Sequence, residues 1–517
     1  MPSYSIGNFS VAGLNTDINP TDLAKDFITR SVNLRMQNGG LTPFGGHMNI
    51  ADLPVDAIPH SLFFVKSSAG DVWFVSGKNK VYSYVSAFSD VTPDFMQTIT
   101  DEEAWSSGAI SGIPLLCHPI LGPMYMDAAS SRFKSLPWTN TQTWKQVNQS
   151  CNILVVHKQY LFALGLLDNG VEKFDGIRWS APADVGAVPL NWNPLDTTSV
   201  AGTSALGGNG GKIVGGLSLR DSLVIYRESG INVVDYVGGQ YVWRIRQMQT
   251  TVGLLAKDAV VDVNGTHYFL SDGDIFSNDG NTIKSIANNR VRSRMNTIDK
   301  TNYGKAFAVH HSNKKEVWFC FPIGGNKYSN IAFIYNYEYD SWVTRDLPGC
   351  LGVDIGRLAS PSSTWDGSPE SWDGTIKTWD DNSTTPFDSV LMGIIYNGTT
   401  YKFALLDYIL GFNSEPYSSI IERTDLAIGG LDTAKIVTRL YPHVVGGSSV
   451  KIQLGSQQYP GGPVTWKPAV DFQPNIDRKV DIRSSGVLHA YRIMATDVTA
   501  NFILTGLDFE YQMAGKR

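Results

Sequence analysis

One pattern repeats along this chain and restricts its fold more than any other feature: a short apolar strand, a tight turn, and a second strand. It appears as SLFFVKSSAGDVWFVSGKNKVYSY from Ser61, NILVVHKQYLFALGLLDNG from Asn152 and GLSLRDSLVIYRESGINVVDY from Gly216. It returns as DAVVDVNGTHYFLSDGDIFSNDG from Asp258 and KAFAVHHSNKKEVWFCF from Lys305. Alternation at period two between turn residues is the signature of strands. The groups start near residues 62, 153, 217, 259 and 307, and the last two steps span 42 and 48 residues. That spacing matches the ~40–50 residues of one propeller blade. A single blade leaves both sheet faces exposed, and radial stacking buries them.

The expectation is therefore an all-β chain: a β-propeller over 51–386, with an insertion near 86–150 where the hairpin pattern lapses. A segment 1–50 joins the propeller. A β-rich region, 387–517, forms either a C-terminal β-sandwich or strands that close the ring. Its long alternating runs begin at Ala434, Ser449, Arg478, His489 and Asn501. Helical periodicity is confined to a turn near 20–30 and a stretch near 294–303, so helix should stay under about a sixth of the chain, below the usual share. With 42% hydrophobic and 17% charged residues, the chain can build a core and is not a disordered polymer.

Charge excludes one class of partner. The formal net charge is −6, whereas proteins that wrap nucleic acid carry a basic excess. Cys117, Cys151, Cys320 and Cys350 form no CxxC pair, so no zinc site is signalled, and they read as free buried thiols of a reducing cytosol rather than disulfides. The first residues show no basic region followed by an apolar run, so no secretory signal is visible, and no apolar stretch reaches ~18 residues.

Individual motifs favour structure over chemistry. The glycine-rich GGNGGKIVGG at 207–216 lacks the phosphate-loop pattern, because Leu206 and Ile213 stand where Gly and Ser or Thr are required. His310 and His311 are adjacent in a strand pattern and point to opposite faces, which disfavours a shared metal ion. SDGDIFSNDG at 271–280 carries Phe276 at a ligand position of a calcium loop, so it reads as a pair of β-turns. Arg290, Arg292 and Arg294 alternate; in a strand they would share a face, either as a solvated edge or as an interface patch. Trp365, Trp372 and Trp379 recur every seven residues, each followed by Asp, and read as anchors of an ordered loop, with exposed sugar-binding tryptophans as the alternative. Chance pairs of carboxylates are certain among 48 acidic residues, so glycosidase chemistry is neither indicated nor excluded by spacing.

Three places carry a family resemblance: the opening GLNTDINPTDLAKDFITRSVNLRMQNGGLTPFGG from Gly13, the repeated Trp-Asp loop at 364–381, and the ending with TWKP, RSSGVLHAYRI, LTGLDFEY and AGKR. Together these resemble the tail nozzle proteins of short-tailed bacteriophages, the packaged-DNA stabilisation or tail tubular protein B type. The resemblance implies a structural virion protein, not an enzyme, with no catalytic residues, cofactor or metal. It implies a homohexameric ring below the portal-adaptor ring, assembled in host cytoplasm, that extends the DNA channel of the virion tail and retains the genome until ejection. Tail fibres or spikes and a distal needle or plug are the implied partners. DNA should pass without tight binding through a lumen poor in positive charge, leaving Arg290, Arg292 and Arg294 at edges or subunit contacts. The competing classes are a propeller glycosidase and a lectin-like glycan-binding protein.

Overall fold

The computed structural model describes residues 2–37, 39–67, 70–239, 242–358, 389–413, 415–495 and 502–516. Trp365, Trp372 and Trp379 lie outside the described residues. The described residues are all-β, with 55% strand and 3% helix, in keeping with the scarcity of helical periodicity. The two α-helices among the described residues, Phe9–Ala12 and Arg292–Met295, are single turns.

Five successive segments each form a four-stranded antiparallel meander, at 59–90, 106–135, 149–205, 213–249 and 260–285. A seven-stranded sheet follows, in the order Phe307–His311, Glu316–Phe321, Ser329–Asn336, Ser341–Gly356, Val390–Tyr396, Tyr401–Leu406 and His47–Asp52. Its 16-residue strand Ser341–Gly356 serves two units. The first part pairs with Ser329–Asn336 and the last part with Val390–Tyr396, and the switch falls at an irregularity beside Gly349, whose φ is 57°. Glycine fits there because other residues are strained at positive φ.

The first strands of these units touch in turn. Pro59–Ser67 contacts Ser106–Ile110, which contacts Gln149–His157, then Ile213–Leu219, Val260–Val263, Phe307–His311 and Ser341–Gly356, which returns to Pro59–Ser67. At that return, Asp354 accepts hydrogen bonds from the Phe64 and Ile355 amides, both at 2.7 Å.

The remaining strands build two six-stranded sheets. One orders Leu34–Gln37, Gly40–Pro43, Phe502–Lys516, Thr433–Gly446 and Val480–Gly486, with Ser3–Gly7 also on Phe502–Lys516. The other orders Arg30–Val32, Ser419–Leu426, Leu488–Ala495, Val450–Gln457 and Thr465–Trp466, with Val470–Phe472 also on Val450–Gln457. Val480–Gly486 alternates strictly, burying Val480, Ile482, Ser484 and Gly486 and exposing the residues between, as a strand with one covered face must. The sheets meet at aromatic contacts such as Tyr491 on Phe509, with ring centroids 5.9 Å apart.

Three boundaries differ from the sequence expectation. Residues 86–150 are not an insertion: Ser106–Ile110, Ile113–His118, Gly122–Tyr125 and Lys134–Ser135 make a meander of their own. These strands are only two to six residues long and hold Pro114 and Pro123, so the alternating signal is too brief to read. The long connection sits instead between Trp179 and Gly202. Of segment 1–50, Ser3–Gly7, Arg30–Val32, Leu34–Gln37 and Gly40–Pro43 pair with C-terminal strands or each other, and only His47–Asp52 joins the repeated units. Conversely, Val390–Tyr396 and Tyr401–Leu406, beyond the expected boundary at 386, complete the last unit with that N-terminal strand.

Where the N-terminal segment passes from one body to the other, a buried charge cluster fastens it. The Arg35 guanidinium donates to both Glu316 oxygens at 2.6 and 2.9 Å and to both Asp407 oxygens at 3.2 and 2.5 Å. Asp407 also accepts from the Gly45 amide at 2.8 Å and lies 3.3 Å from His311 Nε2. Trp318 Nε1 donates to Glu316, and the Arg35 guanidinium stacks 4.4 Å from the Phe44 ring centroid. Burial opposes ionisation of Asp407, but Arg35, His311 and Arg345 hold its carboxyl well below the usual carboxylate range.

Candidate functional site

All seven first strands line one cavity of about 610 Å³, and a wider cavity of about 1030 Å³ adjoins it, sharing Glu103, Ile153, Lys257 and Gly304 with the first. Each strand contributes a run of two to five consecutive residues to the inner cavity. The inner cavity is acidic: Glu102, Glu103, Asp258, Asp262 and Asp354 face it against Lys257 and Lys305. The wider cavity adds Asp101, Glu172, Glu228, Asp272 and Asp299 against Lys212 and Lys300.

Most of these groups are engaged within the protein. Lys305 and Lys327 both donate to Glu102, at 2.5 and 2.8 Å, and both ammonium groups lie near the Tyr328 ring. Burial disfavours the Glu102 anion, but the two lysine hydrogen bonds outweigh it and lower its pKa. Asp354 accepts the Phe64 amide across the junction of the first and last units and the Ile355 amide within its own strand. Burial pushes its pKa up to about 6 against those two bonds. Glu103 is also raised, by burial and by Asp101 and Glu102, although Lys305 and Lys257 oppose the shift. His60 is held neutral at about 4, chiefly by burial. Chemically this is a polar axis with a negative field. Glu102 ties the connection between the first two meanders to Lys305 and Lys327, and Asp354 ties Ser341–Gly356 to Phe64.

The residues singled out from sequence fall elsewhere. Arg290, Arg292 and Arg294 are not in a strand: Arg292–Met295 is a helical turn, so the three do not share a sheet face. Alternation over five residues is too short to separate a strand from a turn, and the deciding partner is distant in sequence. Asp17 accepts the Arg292 and Ser293 amides, both at 2.9 Å, as a cap of that turn. Arg290 donates to the Ala12 carbonyl at 3.0 Å and stacks on Phe27, and Arg292 approaches Asp274 at 3.3 Å. Arg290 thus grips the N-terminal segment.

His311 is buried against Asp407, while His310 pairs with the Tyr337 hydroxyl at 3.2 Å, so the neighbours diverge. No group of three metal-ligating side chains occurs among the described residues. The 271–280 stretch forms turns; Asp279 accepts from the Asn281 and Thr282 amides and the Thr282 hydroxyl, which lower its pKa to about 2.

The glycine-rich loop surrounds a cation rather than an anion. The fully buried Arg227 donates to the Gly207 carbonyl and, through Nε and Nη2, to the Gly211 carbonyl at 3.0 and 2.8 Å. A Cβ on Gly210 would sit 2.8 Å from the Arg227 Nε, so the loop closes only with glycine there. Arg227→Lys should cost about 1–3 kcal/mol, since an ammonium cannot reproduce the planar fork. Urea titration checks this, and an unchanged midpoint would remove the guanidinium from the account. Sequence reading missed Arg227, Arg35, Glu316 and Asp407. The only local signal was Glu316 opening the otherwise apolar run EVWFCF.

No protein-family model matches the chain, and no curated protein matches it. Among solved structures, the BT4673 extracellular domain from B. thetaiotaomicron is 13% identical with a TM-score of 0.27, covering 54% of this chain and 39% of that one. PorZ, a surface component of the type-IX secretion system of Porphyromonas gingivalis, is 10% identical with a TM-score of 0.31, covering 81% of this chain and 46% of that one. The chain spans less than half the length of these structures, and likeness at this level carries no argument about function.

Proposed function

We propose that the chain is the nozzle subunit of a short-tailed bacteriophage tail: a seven-bladed β-propeller joined to a two-sheet body, assembled as a homohexameric ring. The cycle of contacts among the seven first strands supports the propeller. The observation that carries the function is the union of the chain's two ends. The opening and ending segments that hold the family resemblance are distant in sequence, yet they build the same pair of sheets, with Leu41 opposite Leu504. A resemblance confined to unrelated surface loops would lack that unity.

In this reading the subunit is structural and not an enzyme. It sits in the virion tail after assembly in host cytoplasm, contacts the portal-adaptor ring, and offers sites to tail fibres or spikes and a distal needle or plug. DNA passes between subunits without tight binding. A ring of chains each carrying −6 repels the duplex over ~8 Å at physiological salt, and so keeps it from sticking to the wall. A competing glycosidase would need free carboxylates on the axis; Glu102 is engaged by two lysines and Asp354 by two amides, which leaves Glu103, Asp258 and Asp262 of the inner cavity.

Light scattering on the purified chain should give six times 56.7 kDa, with a six-fold ring in negative stain. A monomer that binds an oligosaccharide in the axial cavity would overturn the reading. Tight, salt-sensitive binding of duplex DNA by the ring would overturn the passage of DNA without tight binding.

A further inference from the structure

We propose that Cys117 and Cys151 are a modification site: a thiol pair that closes to a disulfide and staples the second meander to the third. The proposal stands apart from the nozzle reading. Cys117 lies in Ile113–His118 and Cys151 in Gln149–His157, strands of two neighbouring sheets that share no ladder hydrogen bonds. Their sulfurs are 3.5 Å apart, and the Cys117 thiol donates to the Cys151 carbonyl at 3.3 Å. Both are fully buried in an apolar cluster with Leu115, Trp144, Leu154 and Leu166, so their relative position is set by packing on every side.

Forming the bond requires the sulfurs to approach to about 2.05 Å, which is within reach of small side-chain rotations. The other two cysteines offer a contrast inside the same chain. Cys350 points its thiol at the Gly352 carbonyl 3.8 Å away, and Cys320 and Cys350 already belong to one hydrogen-bonded sheet. A bond there would join nothing new.

The reaction is a thiol–disulfide exchange with a low-molecular-weight disulfide as the oxidant. The thiolate of one cysteine attacks a sulfur of the oxidant and releases its first half as a thiol, leaving a mixed disulfide. The thiolate of the second cysteine then attacks the protein sulfur and releases the other half. Two cysteine protons and two electrons leave, the oxidant is reduced to two thiols, and one S–S bond is gained. Burial pushes the Cys151 thiol well above its ordinary pKa, so closure in the folded protein is slow. A chain made in a reducing cytosol carries the open pair and closes it after reaching an oxidising medium.

The test uses the full chain and oxidised glutathione as the probe. One sample is oxidised in the native state, and a second is refolded from urea in the oxidised and reduced glutathione couple, which removes burial as a barrier. Free thiols in denaturant should fall from four to two, with one cross-linked peptide pair joining 117 to 151 and with Cys320 and Cys350 still alkylatable. The oxidised form should melt at a higher temperature than the reduced form. Cys117→Ser should retain all its thiols under the same treatment and show no shift. A refolded native protein that keeps four thiols overturns the proposal. So does one that holds a stable glutathione adduct at either cysteine, or that links another pair.

Discussion

Replacing Glu316 with alanine should destabilise the protein by about 3–5 kcal/mol, the cost of breaking a buried ion pair from one side. The side chain is almost wholly buried, and Arg35 reaches both of its oxygens. Alanine would leave two guanidinium N–H groups and the Trp318 Nε1–H without their acceptor in a site closed to water. Glu316→Gln keeps the volume and separates charge from packing. A double-mutant cycle with Arg35→Met then isolates the coupling, which should be large because the two groups touch. Acid should act through the same cluster. Asp407 is depressed, so its contribution is fully present above the ordinary carboxylate pKa of about 3.9 and is lost as pH falls below that toward its folded value. Stability measured from pH 6 down to pH 2 should fall less steeply in Asp407→Asn than in the parent. Identical slopes would show that the cluster does not govern acid unfolding.

Removing residues 2–52 should abolish folding altogether. The deletion strips partners from Phe502–Lys516, Ser419–Leu426 and Tyr401–Leu406, and so opens edges in three sheets. It also removes Phe9, Leu14, Ile28, Leu34, Leu41 and Phe44, each at most 2% exposed. At about 1.5–3 kcal/mol for each buried side chain, those six alone rival the 5–15 kcal/mol that keeps a typical domain folded. Expression should yield aggregate, or a chain without a cooperative melt. Deleting only residues 2–7 removes a single edge strand and should leave a soluble protein with a lowered melting temperature. A soluble, cooperatively melting 53–517 fragment would show that the N-terminal segment is an accessory.

What could be read in advance follows from how local each feature is. The meanders at 213–249 and 260–285 announced themselves because strands of three to seven residues alternate with turn residues such as Asn264-Gly265 and Asp272-Gly273. The meander at 106–135 did not, since two prolines and a two-residue final strand erase the period. The alternation of Arg290, Arg292 and Arg294 left strand and turn undecided because the cap of the turn at 292–295, Asp17, belongs to a remote stretch of chain. The buried cluster was invisible for the same reason. Arg35, Glu316 and Asp407 look like three ordinary charges until the fold closes over them. The inner cavity was illegible as well, for it is lined by two to five residues from each of seven strands and owned by none.

The pairing of the chain's ends has a consequence for how the molecule is made. Ser3–Gly7 waits for a partner at 506–510, and His47–Asp52 waits for 402–406. At about 5–20 residues per second, a ribosome needs roughly 25–100 s to deliver the last of them. Throughout that interval the earliest strands are unpaired templates, and the first meanders can fold while the assembly that depends on them cannot. The sheet that holds both strands can therefore close only after residues 502–516 have been made. A chain that stops before residue 502 leaves Ser3–Gly7 without the strand it pairs with.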